Sequence, residues 1–296
     1  MNTVYEQLLY TTLRIECKNS EGRVTSIGTG FLLSRPVGEN QYKLYLVSNK
    51  HVLIGTPNIA ISFTCKENGE PKHGHKQELN LQGIDRIVKG HPNPNVDIAA
   101  MDCTGLFITM EDKIYYKYVD YSMLADFHEP ELSVAENVYF VGYPDGRYDM
   151  ANNLPLIRTG MISSHPQYDF NGQPEFVIDA QVFPGSSGSP VYIDLTFENF
   201  KNGQIVVGQR KLKLLGIVAM TMIRNNTLQA IPAGTNYIMQ EVLGLGIVFK
   251  STAIKELVDS MPLNLKIWTT SCKLYKVPGT IKILALIIIG AMHYEI

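Results

Sequence analysis

The sequence alternates short apolar runs with clusters of glycine and proline, and this rhythm constrains the fold more than any other feature. Leu13-Arg14-Ile15-Glu16-Cys17 alternates, Gly22 turns the chain, and Thr25 to Leu33 returns through Ile27-Gly28-Thr29-Gly30-Phe31. After a turn at Pro36 to Asn40, Tyr42 to Val47 reads as a third strand, and Ile59 to Phe63 as a short alternating piece. The second half repeats the pattern at Asn137 to Pro144, Leu156 to Ile162, Phe176 to Ala180, Pro190 to Ile193, Leu214 to Ala219 and Leu243 to Phe249. Many short strands separated by turn residues predict an all-β barrel or sandwich. The period changes at Ser251 to Val258, where Ile254, Leu257 and Val258 share one face behind a Ser251 or Thr252 cap, so a short C-terminal helix is expected there.

A chain of 296 residues with 45% hydrophobic and 18% charged residues can bury an ample core without disulfide help. Its 26 Lys plus Arg against 28 Asp plus Glu give a formal charge of −2 with no basic block, which removes the electrostatic basis for nucleic-acid binding. Cys17, Cys65, Cys103 and Cys272 are widely spaced and form no C-x-x-C pair, so neither a disulfide framework nor a zinc ribbon is expected, and Cys103 is read as a small buried hydrophobe. The first residues hold no basic region followed by an apolar run and a cleavage site; with the cysteine usage, this places the expected location in the cytoplasm. Ile283 to Met292 is about ten residues, half of what a spanning helix needs, and is read as a buried strand or an apolar tail rather than a membrane anchor.

The stretch Gln181-Val182-Phe183-Pro184-Gly185-Ser186-Ser187-Gly188-Ser189-Pro190-Val191 holds the chemistry. A serine on so glycine-rich a turn can have two backbone N–H groups, those of Gly185 and Ser187, aimed at a point beside its hydroxyl, the arrangement of an oxyanion hole. Taken alone the same residues make an ordinary surface turn; a nucleophile needs a base and a group to orient that base. His51 follows the strand that ends near Ser48 and supplies a base. Asp97, in His91-Pro92-Asn93-Pro94-Asn95-Val96-Asp97-Ile98-Ala99, stands at the mouth of an apolar strand; it can cap a turn, or accept from the far nitrogen of an imidazole that gives its carboxylate a reason to be there. His73 and His75 flank Gly74 without further ligands at metal-binding spacing and are assigned to a loop.

His51, Asp97 and Ser187 in that order, with their surrounding blocks, resemble the chymotrypsin-like serine peptidases, in particular the bacterial trypsin-like branch that includes HtrA-type proteases. The resemblance covers roughly residues 10 to 260. It rests on Gly28-Thr29-Gly30-Phe31, Val47-Ser48-Asn49-Lys50-His51-Val52, Val96-Asp97-Ile98-Ala99, Val141-Gly142-Tyr143-Pro144 with Thr159-Gly160-Met161-Ile162-Ser163, and Asp179-Ala180 followed by Pro184 to Pro190, ending at Gly216-Ile217 and Gly246-Ile247-Val248. It implies two antiparallel six-stranded barrels, residues 10–118 and residues 130–260 with the terminal helix, joined by a Tyr-rich connector, and a tail over 261–296. It also implies peptide-bond hydrolysis without metal or organic cofactor. Ser187 would attack the carbonyl, His51 shuttle the proton and Asp97 fix the imidazole. By the same resemblance Ala219-Met220-Thr221 would pair with substrate backbone and wall the primary pocket, with Gln181 at its base.

Ser186 and Ser189 stand where relatives carry Asn or Asp and Gly; Asn49-Lys50 replaces smaller residues before the histidine and makes the site more polar. With no charge at the inferred pocket base, small or medium uncharged residues are the expected preference. No PDZ module follows residue 260, so a separate regulatory protein partner is one expected route to substrates. An α/β-hydrolase is excluded because position 189 is Ser where the G-x-S-x-G elbow needs Gly, and because that fold runs Ser, acid, His. The remaining alternative is a protease-like fold acting as a latent or non-catalytic binding or scaffold module.

Overall fold

The computed structural model describes residues 3–39, 41–195, 198–201, 204–207, 211–229, 236–263, 269–277 and 280–288. Side chains of residues 198–201, 204–207, 225–229, 236–240 and those beyond 263, Cys272 included, lie outside the described set. The strands are β1 Thr12–Lys18, β2 Val24–Gly38, β3 Gln41–Ser48, β4 Asn58–Glu67, β5 Glu70–Gln82, β6 Val88–Gly90, β7 Ala99–Asp102 and β8 Ile114–Tyr115 in the first half. The second half adds β9 Asn137–Gly142, β10 Leu156–Ile162, β11 Glu175–Asp179, β12 Pro190–Asp194, β13 Glu198–Lys201, β14 Gln204–Val207, β15 Leu212–Gln229, β16 Asn236–Lys250, β17 Thr269–Val277 and β18 Thr280–Ile288. Helices are short: α1 Val4–Leu8, α2 Lys50–Leu53, α3 Thr104–Met110 and α4 Ser251–Ser260. None of the described helices is long and apolar enough to cross a membrane.

The second-half strands close into a six-stranded barrel in the order β10-β11-β16-β15-β12-β9. The first-half strands, joined by β17 and β18, form an open sheet, β17-β18-β5-β4-β1-β2-β3-β7-β6, with β8 on β4. One closed barrel therefore stands where two are expected. At one end of the open sheet β6 has only three residues; at the other, β18 runs parallel to β5 along Lys76 to Gln82. Residues 269–277 and 280–288 of the tail add a hairpin to the first sheet: of the stretch read as a buried strand or an apolar tail, Ile283 to Ile288 fall on β18, and 289–292 lie outside the described residues.

Alternation along the strands feeds three cores. On β3, Leu44 and Leu46 face the interior of the first half, whereas Tyr45 and Val47 face the second. On β12, Tyr192 meets that shared layer while Val191 and Ile193 fill the barrel. Strands buried on both faces read as continuous apolar runs, which is why Tyr45-Leu46-Val47 shows no polar alternation. The shared layer is closed by Ala253, Ile254, Leu257 and Val258 of α4. Complete burial of one such Leu or Ile is worth about 1.5–3 kcal/mol, so this layer holds the two halves together.

Several local readings need correction. His73 and His75 lie within β5, not a loop; the register jumps from Thr64↔Lys76 to Cys65↔Lys72, so residues 73–75 bulge out, with Gly74 at φ +75°. The α4 N-cap is Lys250, whose ammonium has no acceptor for a cap bond, and Ser251 lies inside the helix with its Oγ donating to the Ala125 carbonyl at 2.7 Å. Helix α3 was not anticipated after the strand preceding Cys103; it buries Leu106, Phe107 and Met110. Cys17, Cys65 and Cys103 are free thiols, and burial pushes the Cys103 pKa up, as a small hydrophobe requires.

Candidate active site

His51 is carried on α2, a four-residue helical turn between β3 and β4. Asn49 at its N-cap is buried, and its Nδ2 donates to the Asp97 carbonyl at 2.7 Å. Asp97 answers on its side chain: Oδ1 accepts from the His51 backbone N–H at 3.1 Å, and Oδ2 lies 2.6 Å from His51 Nδ1. A carboxylate so close requires the Nδ1 proton, and in the neutral imidazole this leaves Nε2 as the free acceptor. The loop that carries Asp97 is tied down by its own bonds, with His91 N donating to the Ile98 carbonyl at 2.8 Å and Lys50 Nζ to the Asn93 carbonyl at 2.8 Å. Burial lowers the Lys50 pKa, and the nearby Asp97 carboxylate opposes that shift.

The Ser187 loop enters β12 at Pro190. Gly185 and Gly188 both sit at φ +86°, in the left-handed region. A Cβ on Gly185 would come within 2.5 Å of the Tyr143 carbonyl, and one on Gly188 would overlap the Thr29 carbonyl. Among the described residues the N–H groups of Gly185 and Ser187 donate to no protein acceptor, whereas those of Ser186 and Gly188 bond Phe183 and Val218 carbonyls. Ser186 and Ser189, the two small polar departures, bury their hydroxyls without a protein partner.

The Ser187 hydroxyl donates to the Ala219 carbonyl at 3.2 Å, not to His51. Ala219 is available for this because it falls in a bulge of β15: Val218 pairs with Val248 and Met220 with Ile247, leaving Ala219 out of the ladder. Met220 is half exposed, and Thr221 Oγ1 donates to the Leu245 carbonyl at 3.4 Å. Gln181 is exposed, and next to it buried Val182 packs where a Cβ on Gly246 would stand. The structure thus joins His51 to Asp97 and Ser187 to Ala219.

Sequence reasoning did not single out Thr29. Its N–H donates to the Ser187 carbonyl at 2.9 Å, its Oγ1 donates to the Gly185 carbonyl at 2.7 Å and accepts from Tyr143 N at 3.3 Å, and its carbonyl accepts from Ser48 Oγ at 2.6 Å. One buried residue of β2 therefore fastens the serine loop to the sheet that carries His51. Its signal was the pair of glycines around it: a Cβ on Gly30 would meet Ile15 and Leu46, so the motif marks close packing on both sides of Thr29.

The family model for the trypsin-like peptidase domain matches residues 28–196, more than half of the chain, and the chain belongs to that family. A trypsin-like peptidase fold supports a protease-type function. Among solved structures, the Rv3671c protease of M. tuberculosis in its active form is similar at 19% identity and a TM-score of 0.44, covering 87% of this chain and 83% of that one. A scabies mite inactivated protease paralogue is similar at 14% identity and a TM-score of 0.45, covering 88% and 99%. A comparison with curated proteins finds no match.

Proposed function

We propose that the chain is a serine endopeptidase that hydrolyses peptide bonds in protein or peptide substrates through His51, Asp97 and Ser187. The observation that carries this reading is the double engagement of His51 by Asp97, at the ring and at the backbone, which leaves Nε2 as the acceptor. In this reading the Ser187 hydroxyl leaves the Ala219 carbonyl and bonds that nitrogen. The hydroxyl then attacks the substrate carbonyl while Nε2 takes its proton. The oxyanion is received by the Gly185 and Ser187 N–H groups, and the proton passes to the leaving amine. Water, activated by the same imidazole, releases the acyl group. In this reading residues 10–118 and 130–260 act as the two halves of a two-barrel peptidase, and Ala219-Met220-Thr221 with Gln181 receive the acyl side of the substrate.

One observation favours a second reading, a latent or non-catalytic binding module: the hydroxyl rests on Ala219. A fluorophosphonate probe separates the two. Labelling of the wild type that vanishes in Ser187→Ala supports the peptidase; absence of labelling across pH, salt and substrate-like peptides supports the module.

A further inference from the structure

Beside the serine loop, at its Phe183-Pro184 end, lies a cavity of about 400 Å³. Pro144, Arg147, Leu156, Arg158, Phe183 and Pro184 bound it. Pro184 immediately precedes the oxyanion donor Gly185, and its carbonyl accepts from Asp145 N at 2.6 Å, so the cavity wall and the oxyanion loop are one piece. Asp145 also lines the cavity, but its carboxylate lies 3.5 Å from Arg147 Nε, so those two charges largely offset one another.

Arg158 is different. It sits on β10 opposite Phe140, its guanidinium lies 5.0 Å from the Phe140 ring and 5.2 Å from the Phe183 ring, and its Nη1 is buried with no hydrogen-bond partner. Among the described residues no carboxylate pairs with it. Two aromatic faces hold the guanidinium in place but satisfy none of its N–H donors. Arg158 is half-buried, and leaving one of its nitrogens buried without an acceptor is costly, so an anion that engages the guanidinium from the cavity would be favoured. Burial also pulls its pKa below the ordinary arginine range, which an arriving anion would reverse.

The geometry points to this cavity as a carboxylate-binding subsite that takes an acidic side chain of the substrate on the leaving-group side of the scissile bond, with Arg158 as the residue that selects it. The inference rests on the proposed peptidase reading for its orientation: if the acyl side of the substrate lies along Ala219-Met220-Thr221, which the Ser187 end of the loop contacts, the Phe183-Pro184 end that lines the cavity receives the residues that follow the cleaved bond. The apolar walls, Leu156, Phe183 and Pro184, accommodate the methylenes of Glu, and the cation meets its carboxylate by a charge-assisted pair.

The test uses the full chain and a peptide library with Glu, Gln, Lys or Ala at each of the three positions after the cleaved bond, read by mass spectrometry. Glu is expected to be favoured at one of them, by about 10- to 100-fold in kcat/KM over Gln, the worth of one charge-assisted hydrogen bond. Arg158→Met should abolish that preference while leaving the Gln peptide within about threefold, and Arg158→Lys should keep part of it. Equal loss on Glu and Gln peptides, or a preference for Glu that survives Arg158→Met, overturns the assignment. Thermal melts of each variant show that it is folded.

A second arm is independent of catalysis. The Ser187→Ala protein and its Arg158→Met derivative are titrated with N-acetyl-glutamate amide and N-acetyl-glutamine amide, following the arginine side-chain resonances by NMR. Saturable binding of the glutamate compound alone, lost with Arg158, supports the subsite even where fluorophosphonate labelling and peptide cleavage both fail and the peptidase reading falls. No binding in that case overturns the subsite as well. Competition by free acetate or by a peptide C-terminal carboxylate tells an acidic side chain from a terminal carboxylate as the source of the charge.

Discussion

The two halves of the molecule hold their parts of the candidate site in different ways. In the first half the side chains that position His51 are bonded to one another: Asp97 binds the ring and the backbone of His51, and Asn49 Nδ2 binds the Asp97 carbonyl from behind. In the second half the backbone of the serine loop is held just as firmly, by Thr29, Asp145 and Val218, but its working groups are not: the Gly185 and Ser187 N–H groups are free among the described residues and the hydroxyl rests on Ala219. The imidazole of His51 is held at two points, whereas the Ser187 hydroxyl is held by one bond, to a carbonyl. Where the cost of order is carried by backbone bonds, a reacting hydroxyl can remain mobile without loosening the site.

Removing either partner tests this contrast most severely. Ser187→Ala and His51→Ala should each lower kcat/KM by about 10⁴-fold or more, and the double variant should lose little beyond either single one, because the two act as a unit. Additive losses would mean that the halves do not cooperate. Thr29→Val comes next. It removes the donor to the Gly185 carbonyl and the acceptor for Tyr143 N at a fully buried position, so it should destabilise the fold by about 1–3 kcal/mol. It should also lower kcat by about tenfold or more, with KM less affected, while Thr29→Ser restores most of both. A loss in stability with kcat intact would place Thr29 outside the site.

How much of this was legible in the sequence divides along the same line. The strand pattern gave away the barrel strands and α4, because alternation and period report burial directly. The triad candidates could be found only as an ordered set, because each alone reads as an ordinary turn or strand-end residue. What could not be read depends on partners distant in sequence. Whether the first sheet closes is decided at its edges, by a three-residue β6 and by β18 lying on β5. Thr29 looks like one more strand residue until the serine loop, more than a hundred positions later, is brought onto it. Arg158 reads as an ordinary polar strand position, and only the fold reveals the two rings around it and its unpartnered Nη1.

On the His51 side, Asn49→Ala should have a smaller effect than Thr29→Val. Asn49 Nδ2 supports the Asp97 backbone carbonyl at 2.7 Å, but the Lys50 N–H also reaches that carbonyl at 3.4 Å and partly replaces it. The expected cost is about 1 kcal/mol in stability and less than about tenfold in kcat/KM, measured by denaturant unfolding and peptide cleavage. A loss as large as that of His51→Ala would show that Asp97 is held by Asn49 alone, and the first half would then be less firmly held than its bonds indicate.

The smallest effect belongs to Glu175, which opens β11 in the closed barrel, away from both sets of bonds. Burial raises its pKa above the ordinary carboxylate value. A carboxyl with a raised folded pKa binds its proton more tightly in the native state than in the unfolded chain. Its contribution is therefore favourable when protonated at low pH and is lost as pH rises through the folded value. Glu175→Gln removes that loss. It should raise Tm by under about 2 °C at pH 7, leave it unchanged near pH 4, and leave kcat/KM untouched at both. If cleavage moved with Tm, the barrel wall and the serine loop would be coupled, and the loop's rigidity would come from the whole barrel rather than from Thr29, Asp145 and Val218.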